Sequence, residues 1–196
     1  AVPCSCWVME TRTLLMAPCR KMRIETSCVR FVAKDASSSG ALRTLSRCYL
    51  AMGQTSNALA SGKSALEIAK HIADRNAVCE SQLIVAEASL ALGDLETCSA
   101  NLKEVAEQTT DSTADLLLVG EAQRLHGLEE MSRNDPEMAA QHFGRSVSIF
   151  DLLGDRYRAA RAHYELGRAY TLSQSDRAAE QLARAINTFR ELGARL

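Results

Sequence analysis

The chain has 196 residues, 46% hydrophobic and 24% charged, with a formal net charge of −1; it can bury a core and lacks the basic field that nucleic acid or anionic lipid would require. No apolar run reaches the roughly 18 residues of a membrane-spanning helix. Three prolines, ten glycines and 5% aromatic residues favour long helices over a sheet protein, so the expectation is an all-α chain with no membrane role and no direct nucleic-acid binding.

The opening AVPCSCW has neither the basic leader nor the apolar core of a signal peptide. Trp7 to Met16 and Cys19 to Lys34 read as a degraded or capping hairpin over residues 1–39, with Asp35-Ala-Ser-Ser-Ser-Gly40 as the connecting turn. The seven cysteines, Cys4, Cys6, Cys19, Cys28, Cys48, Cys79 and Cys98, are odd in number, and the last three lie in helical patterns. That fits small buried side chains in a reducing cytoplasm better than a disulfide framework. No CxxC pair and no nearby His completes a zinc set around the first four; no metal and no cofactor is expected.

From residue 40 the chain repeats. Tyr49-Leu-Ala-Met-Gly53 and Ser89-Leu-Ala-Leu-Gly93 stand forty residues apart, each closing a first helix on a glycine. Second helices follow from about Ser56 to Ala73 and from about Asp94 to Gln108. The next first helix spans about Thr113 to Ser132, and Asp135-Pro136 opens its partner as cap and first helical residue. Phe150-Asp-Leu-Leu-Gly154 recurs as Phe189-Arg-Glu-Leu-Gly193. In the last hairpin Ala159, Ala162, His163, Leu166, Ala169 and Tyr170 share one helix face, and Ala178, Leu182, Ala185, Ile186 and Phe189 share another. The period of about forty divides the chain into hairpins at about 40–74, 75–111, 112–154 and 155–193. A hairpin of this length cannot bury its face alone, so the four must stack.

Leu166-Gly167, Tyr170 and Ala179 in the last hairpin, Gly127, Ala139 and Phe143 before it, Tyr49, Ala58 and Ala65 in the first and Ala86 in the second resemble the tetratricopeptide repeat. The resemblance implies a right-handed superhelical solenoid of antiparallel helix hairpins. The spacing exceeds the usual 34 residues, as in the long repeats of bacterial signalling and transcription-regulatory proteins; HEAT-type repeats are the structural alternative. It also implies a concave face for a protein or peptide partner, carried by Arg43, Arg47, Leu50, Leu83, Glu87, Leu90, Arg124, Leu128, Met131, Tyr164, Arg168 and Thr171. Arg43, Arg47, Arg124 and Arg168 would form a basic track suited to carboxylates or an acidic peptide. The Lys and Asn pattern with which chaperone-binding members clamp a terminal carboxylate is absent.

Nothing in the sequence argues for catalysis. His71, His126, His142 and His163 lie in four different helices, His163 at a core position. Gly62-Lys63-Ser64 lacks the upstream glycine and strand of a phosphate loop and reads as a small residue at a helix crossing. Glu129 and Glu130 read as a solvated face. The expectation is a non-enzymatic interaction module, the regulatory or sensor part of a larger signalling protein. Alternatives are a sugar or metabolite sensor, or self-assembly as a homodimer through the C-terminal hairpin, with Leu182, Phe189 and Leu192 in contact.

Overall fold

The computed structural model describes residues 36–109 and 115–193. Among them are eight helices and no strand: α1 (Ala36–Ala51), α2 (Thr55–His71), α3 (Arg75–Ala91), α4 (Leu95–Gln108), α5 (Leu116–Ser132), α6 (Pro136–Leu153), α7 (Arg156–Leu172) and α8 (Ala178–Glu191). The hairpin expected before residue 36 lies outside the described residues, as do Cys4, Cys6, Cys19 and Cys28.

The helices begin where aspartate falls. Asp74, Asp94, Asp115, Asp135 and Asp155 each accept a backbone N–H from the first turn of the helix they precede. Each such cap is worth about 1 kcal/mol. Turns close on positive φ at Gly53, Gly93 and Gly154, and also at Ala73, Asn134 and Gln174. Residues 36–40, expected as part of a turn, are instead the first turn of α1. Ser39 is fully buried and its hydroxyl donates to the Ala65 carbonyl of α2, so tertiary packing overrides the weak helix propensity of a serine run.

α1 pairs with α2, α3 with α4, α5 with α6 and α7 with α8, and each of α2, α4 and α6 also packs on the first helix of the next hairpin. One core joins Leu83, Leu102, Val105 and Leu125; the next joins Phe143, Phe150, Leu166 and Ala169; Leu128 packs against both. Close approach depends on missing side chains. A Cβ on Gly62 would lie 3.3 Å from Ile84 and Val85, so Gly62 sits at a helix crossing within α2, as the sequence suggested. Buried serines link helices within a hairpin, Ser46 to the Ala58 carbonyl and Ser146 to that of Gly120. The described residues therefore form an all-α, TPR-like helical-repeat solenoid whose first helices α1, α3, α5 and α7 stand side by side.

Candidate functional site: the groove of the first helices

A cavity of about 490 Å³ opens on the face formed by the first helices, lined by Arg47, Leu50 and Ala51 of α1, Leu83, Ile84 and Glu87 of α3, Glu121 and Leu125 of α5, and Tyr157, Arg158 and Arg161 of α7. Its volume is in the range of ligand sites.

The lining drifts along the helices: it comes from the end of α1, the second half of α3, the first ten residues of α5 and the first turns of α7. Three ion pairs show the rule. Arg43 Nε to Glu80 (3.1 Å), Arg124 Nη2 to Glu87 (2.8 Å) and Arg158 Nε to Glu121 (3.0 Å) each join residues 37 apart. The helix ends Ala51, Ala91, Ser132 and Leu172, however, fall 40 or 41 apart. Neighbours across the groove are thus about one helical turn out of register with equivalent positions in the repeat.

This offset decides where the expected residues stand. Arg47, Leu83 and Glu87 line the cavity. Leu128 is turned into the core. Tyr164 and Arg168 lie on α7 beyond the cavity, with the Arg168 guanidinium 5.9 Å above the Tyr164 ring and 2.8 Å from Glu165. The basic track is no open row of charge, because each arginine faces a carboxylate: Arg43 and Arg47 share Glu80, and Arg168 holds Glu165. Arg124 is only 2% exposed and binds Glu87 and Glu121. Burial presses it toward losing its proton, but those two carboxylates outweigh burial and its pKa is raised. Burial pushes Glu121 up, yet Arg124, Arg161 and Arg158 bring its pKa below the usual value. Asp155 to Arg158 to Glu121 to Arg124 to Glu87 to Arg161 is therefore one line of alternating charge that leaves α7, crosses α5 and α3, and returns to α7.

Glu121, Leu125, Tyr157, Arg158 and Arg161 were missed by sequence reasoning. The signal that could have found them is the opposite charge at a spacing of 37 rather than 40. Of the expected assembly residues, Leu182 is packed within the hairpin, where a Cβ on Gly167 would approach its Cγ to 2.7 Å. Phe189 meets the Tyr157 ring edge-on at 6.1 Å, and Leu192 is 37% exposed. His163 is buried, its Nδ1 2.7 Å from Gln181 Oε1. Among the described residues no group of three or more His, Cys, Asp or Glu is placed to hold a metal, and no helix is long and apolar enough to cross a membrane. Cys79 and Cys98 are buried, and burial followed by Glu129 pushes the Cys98 thiol up to about 12; Cys48 is exposed, unlike the expectation.

No family profile and no curated protein matches the chain. Solved structures do. The chain is similar to a Rap protein complexed with competence and sporulation factor (TM-score 0.70, 19% identity, 79% of this chain and 43% of that one). It is similar to aspartyl phosphate phosphatase F from Bacillus subtilis (TM-score 0.67, 20% identity, 85% and 44%). It also resembles a kinesin light chain with TPR-like repeats from Podospora anserina (TM-score 0.55, 19% identity, 85% and 82%). The class these likenesses define is the TPR-like helical-repeat fold, and the chain spans less than half of the first two proteins.

Proposed function

We propose that this chain is a protein- or peptide-interaction module that docks a partner segment in the groove of α1, α3, α5 and α7, and that it serves as the regulatory part of a larger bacterial signalling protein. The observation that carries the reading is the cavity itself: all four hairpins contribute to one concave site that sets a tyrosine and arginines, residue types enriched among energetically dominant contacts, beside leucines. A structural relative solved in complex with competence and sporulation factor supports it by analogy of fold. In this reading the chain acts by binding. Its groove carboxylates Glu87 and Glu121 are each held by two arginines, which suits a structural charge better than a general base.

The test is selection of displayed random peptides on the chain, followed by binding to a Leu50→Gln variant. Groove-dependent peptides are expected to weaken about tenfold or more on the loss of this apolar contact. Selected peptides that bind both forms equally would remove the groove from consideration.

A second reading is self-association through α8. It is favoured by one observation: α2, α4 and α6 each bury several residues, whereas α8 buries Ala185 alone, with Ile186 and Leu192 exposed.

A further inference from the structure

The arginines of the inner face are not equally satisfied. Arg124 and Arg158 each engage two carboxylates through different nitrogens, and Arg43 reaches both Glu80 and the Ser39 hydroxyl. Among the described residues Arg161 has a single polar contact, Nη2 to Glu87 Oε1 at 3.2 Å, on an oxygen that Arg124 already holds at 2.8 Å. Arg47 likewise has a single contact among the described residues, 3.5 Å to Glu80 Oε2, which Arg43 holds at 3.1 Å. A guanidinium presents five N–H donors in a fork that matches a carboxylate. Arg47 and Arg161, exposed by 50% and 36%, therefore keep unused donors, and both line the one cavity, from α1 and from α7. The charge balance agrees. Arg43, Arg47, Arg124, Arg158 and Arg161 are set against Glu80, Glu87, Glu121 and Asp155, one positive charge in excess. Beside these two guanidinium groups, Leu50, Leu83 and Leu125 offer an apolar floor.

We propose that the cavity selects a carboxylate with an apolar neighbour in the partner segment: the carboxylate bridges Arg47 and Arg161 while the apolar side chain rests on the leucines. The inference rests on the groove reading above and sharpens it. The carboxylate has two sources, an Asp or Glu side chain or a chain terminus, and their chemistry at the arginines is shared.

The experiment follows the arginine Nε–Hε resonances by NMR during titration with three probes. N-acetyl-Leu-Glu amide carries only the side-chain carboxylate, N-acetyl-Leu-Gln free acid only the terminal one, and N-acetyl-Leu-Gln amide neither. At least one acid is expected to shift Arg47 and Arg161 saturably, and which acid does so identifies the source; the neutral probe moves neither. Arg47→Gln and Arg161→Gln should each weaken the active acid about tenfold, the scale of one charge-assisted hydrogen bond, while Arg168→Gln leaves it unchanged. The proposal is overturned if the neutral probe binds as well as the acids, if no acid moves either resonance, or if Arg168→Gln weakens binding equally. Displayed peptides that are neutral yet groove-dependent would keep the groove reading and sink this one.

Discussion

Glycine has opposite effects at Gly167 and Gly144. At Gly167, on α7, an added Cβ would stand 2.7 Å from Leu182 Cγ and 3.2 Å from the Leu182 backbone nitrogen, so relief requires α8 itself to shift. At Gly127 the obstacle is the ring of fully buried Phe143, 2.6 Å away. Gly144 lies inside α6 with nothing within 4 Å of its Cβ position. Gly167→Ala and Gly127→Ala should therefore each destabilise by about 1–3 kcal/mol, the cost of overpacking a filled site. Gly144→Ala should stabilise by about 0.5–1 kcal/mol, because alanine loses less backbone freedom on folding. Urea unfolding of the three variants checks this, and a Gly167→Ala protein as stable as the parent would mean that α7 and α8 are not in such close contact.

Between α5 and α6 the packing includes a pair of imidazoles. The rings of His126 and His142 stack with centroids 5.4 Å apart, and His142 Nδ1 is 2.9 Å from Gln123 Oε1. Burial, then His126 and Arg145, lower the His142 pKa below 6.5 against the opposing pull of Glu130 and Glu129. In the unfolded chain His142 takes up a proton more readily, so its contribution to stability is complete above pH 6.5 and is lost as the pH falls through the lowered folded value. Glu121 and Asp155, whose folded pKa values lie below 4.5 and 3.8, contribute fully above those values and lose their share in stronger acid. The melting temperature should be level above pH 6.5, decline below it, and decline again below pH 4.5; His142→Gln should abolish the first decline alone. Persistence of that decline in the variant would assign it elsewhere. At this scale the sequence was largely readable. The helix expected from Ser56 to Ala73 is Thr55–His71, because apolar recurrence at three and four residues is a local property. The groove was less readable, because its residues are set by how helices slide past one another: carrying Arg47 forward by the repeat of 40 or 41 leads to Glu87 and then to Leu128, which turns into the core, whereas the 37-residue step leads from Glu87 to Arg124 and Arg161.

For the whole molecule, the stack is held by the same contact made repeatedly, a second helix covered on one side by its own first helix and on the other by the next hairpin. Arg124 adds a polar tie between the second and third hairpins through Glu87, while Glu121 holds it from its own helix; removing one partner of such a buried pair leaves an uncompensated charge. α8 departs from the pattern, since among the described residues it packs on α7 alone. The face it turns to α7 is filled by Leu182 and by Phe189 against Tyr157, which leaves Ile186 and Leu192 as its outward apolar residues. If self-association uses this face, light scattering across a concentration series should show a dimer that Ile186→Glu with Leu192→Glu converts to monomer. The variant should melt like the parent diluted to monomer, because both residues are exposed and only the stabilisation that association itself supplies is lost. Leu182→Ala should do the reverse: loss of a packed leucine lowers stability by up to about 2–5 kcal/mol, while the folded fraction keeps its oligomeric state. A parent chain that scatters as a monomer at every concentration would rule out assembly through α8, and the groove would then be the one binding surface that draws on all four hairpins.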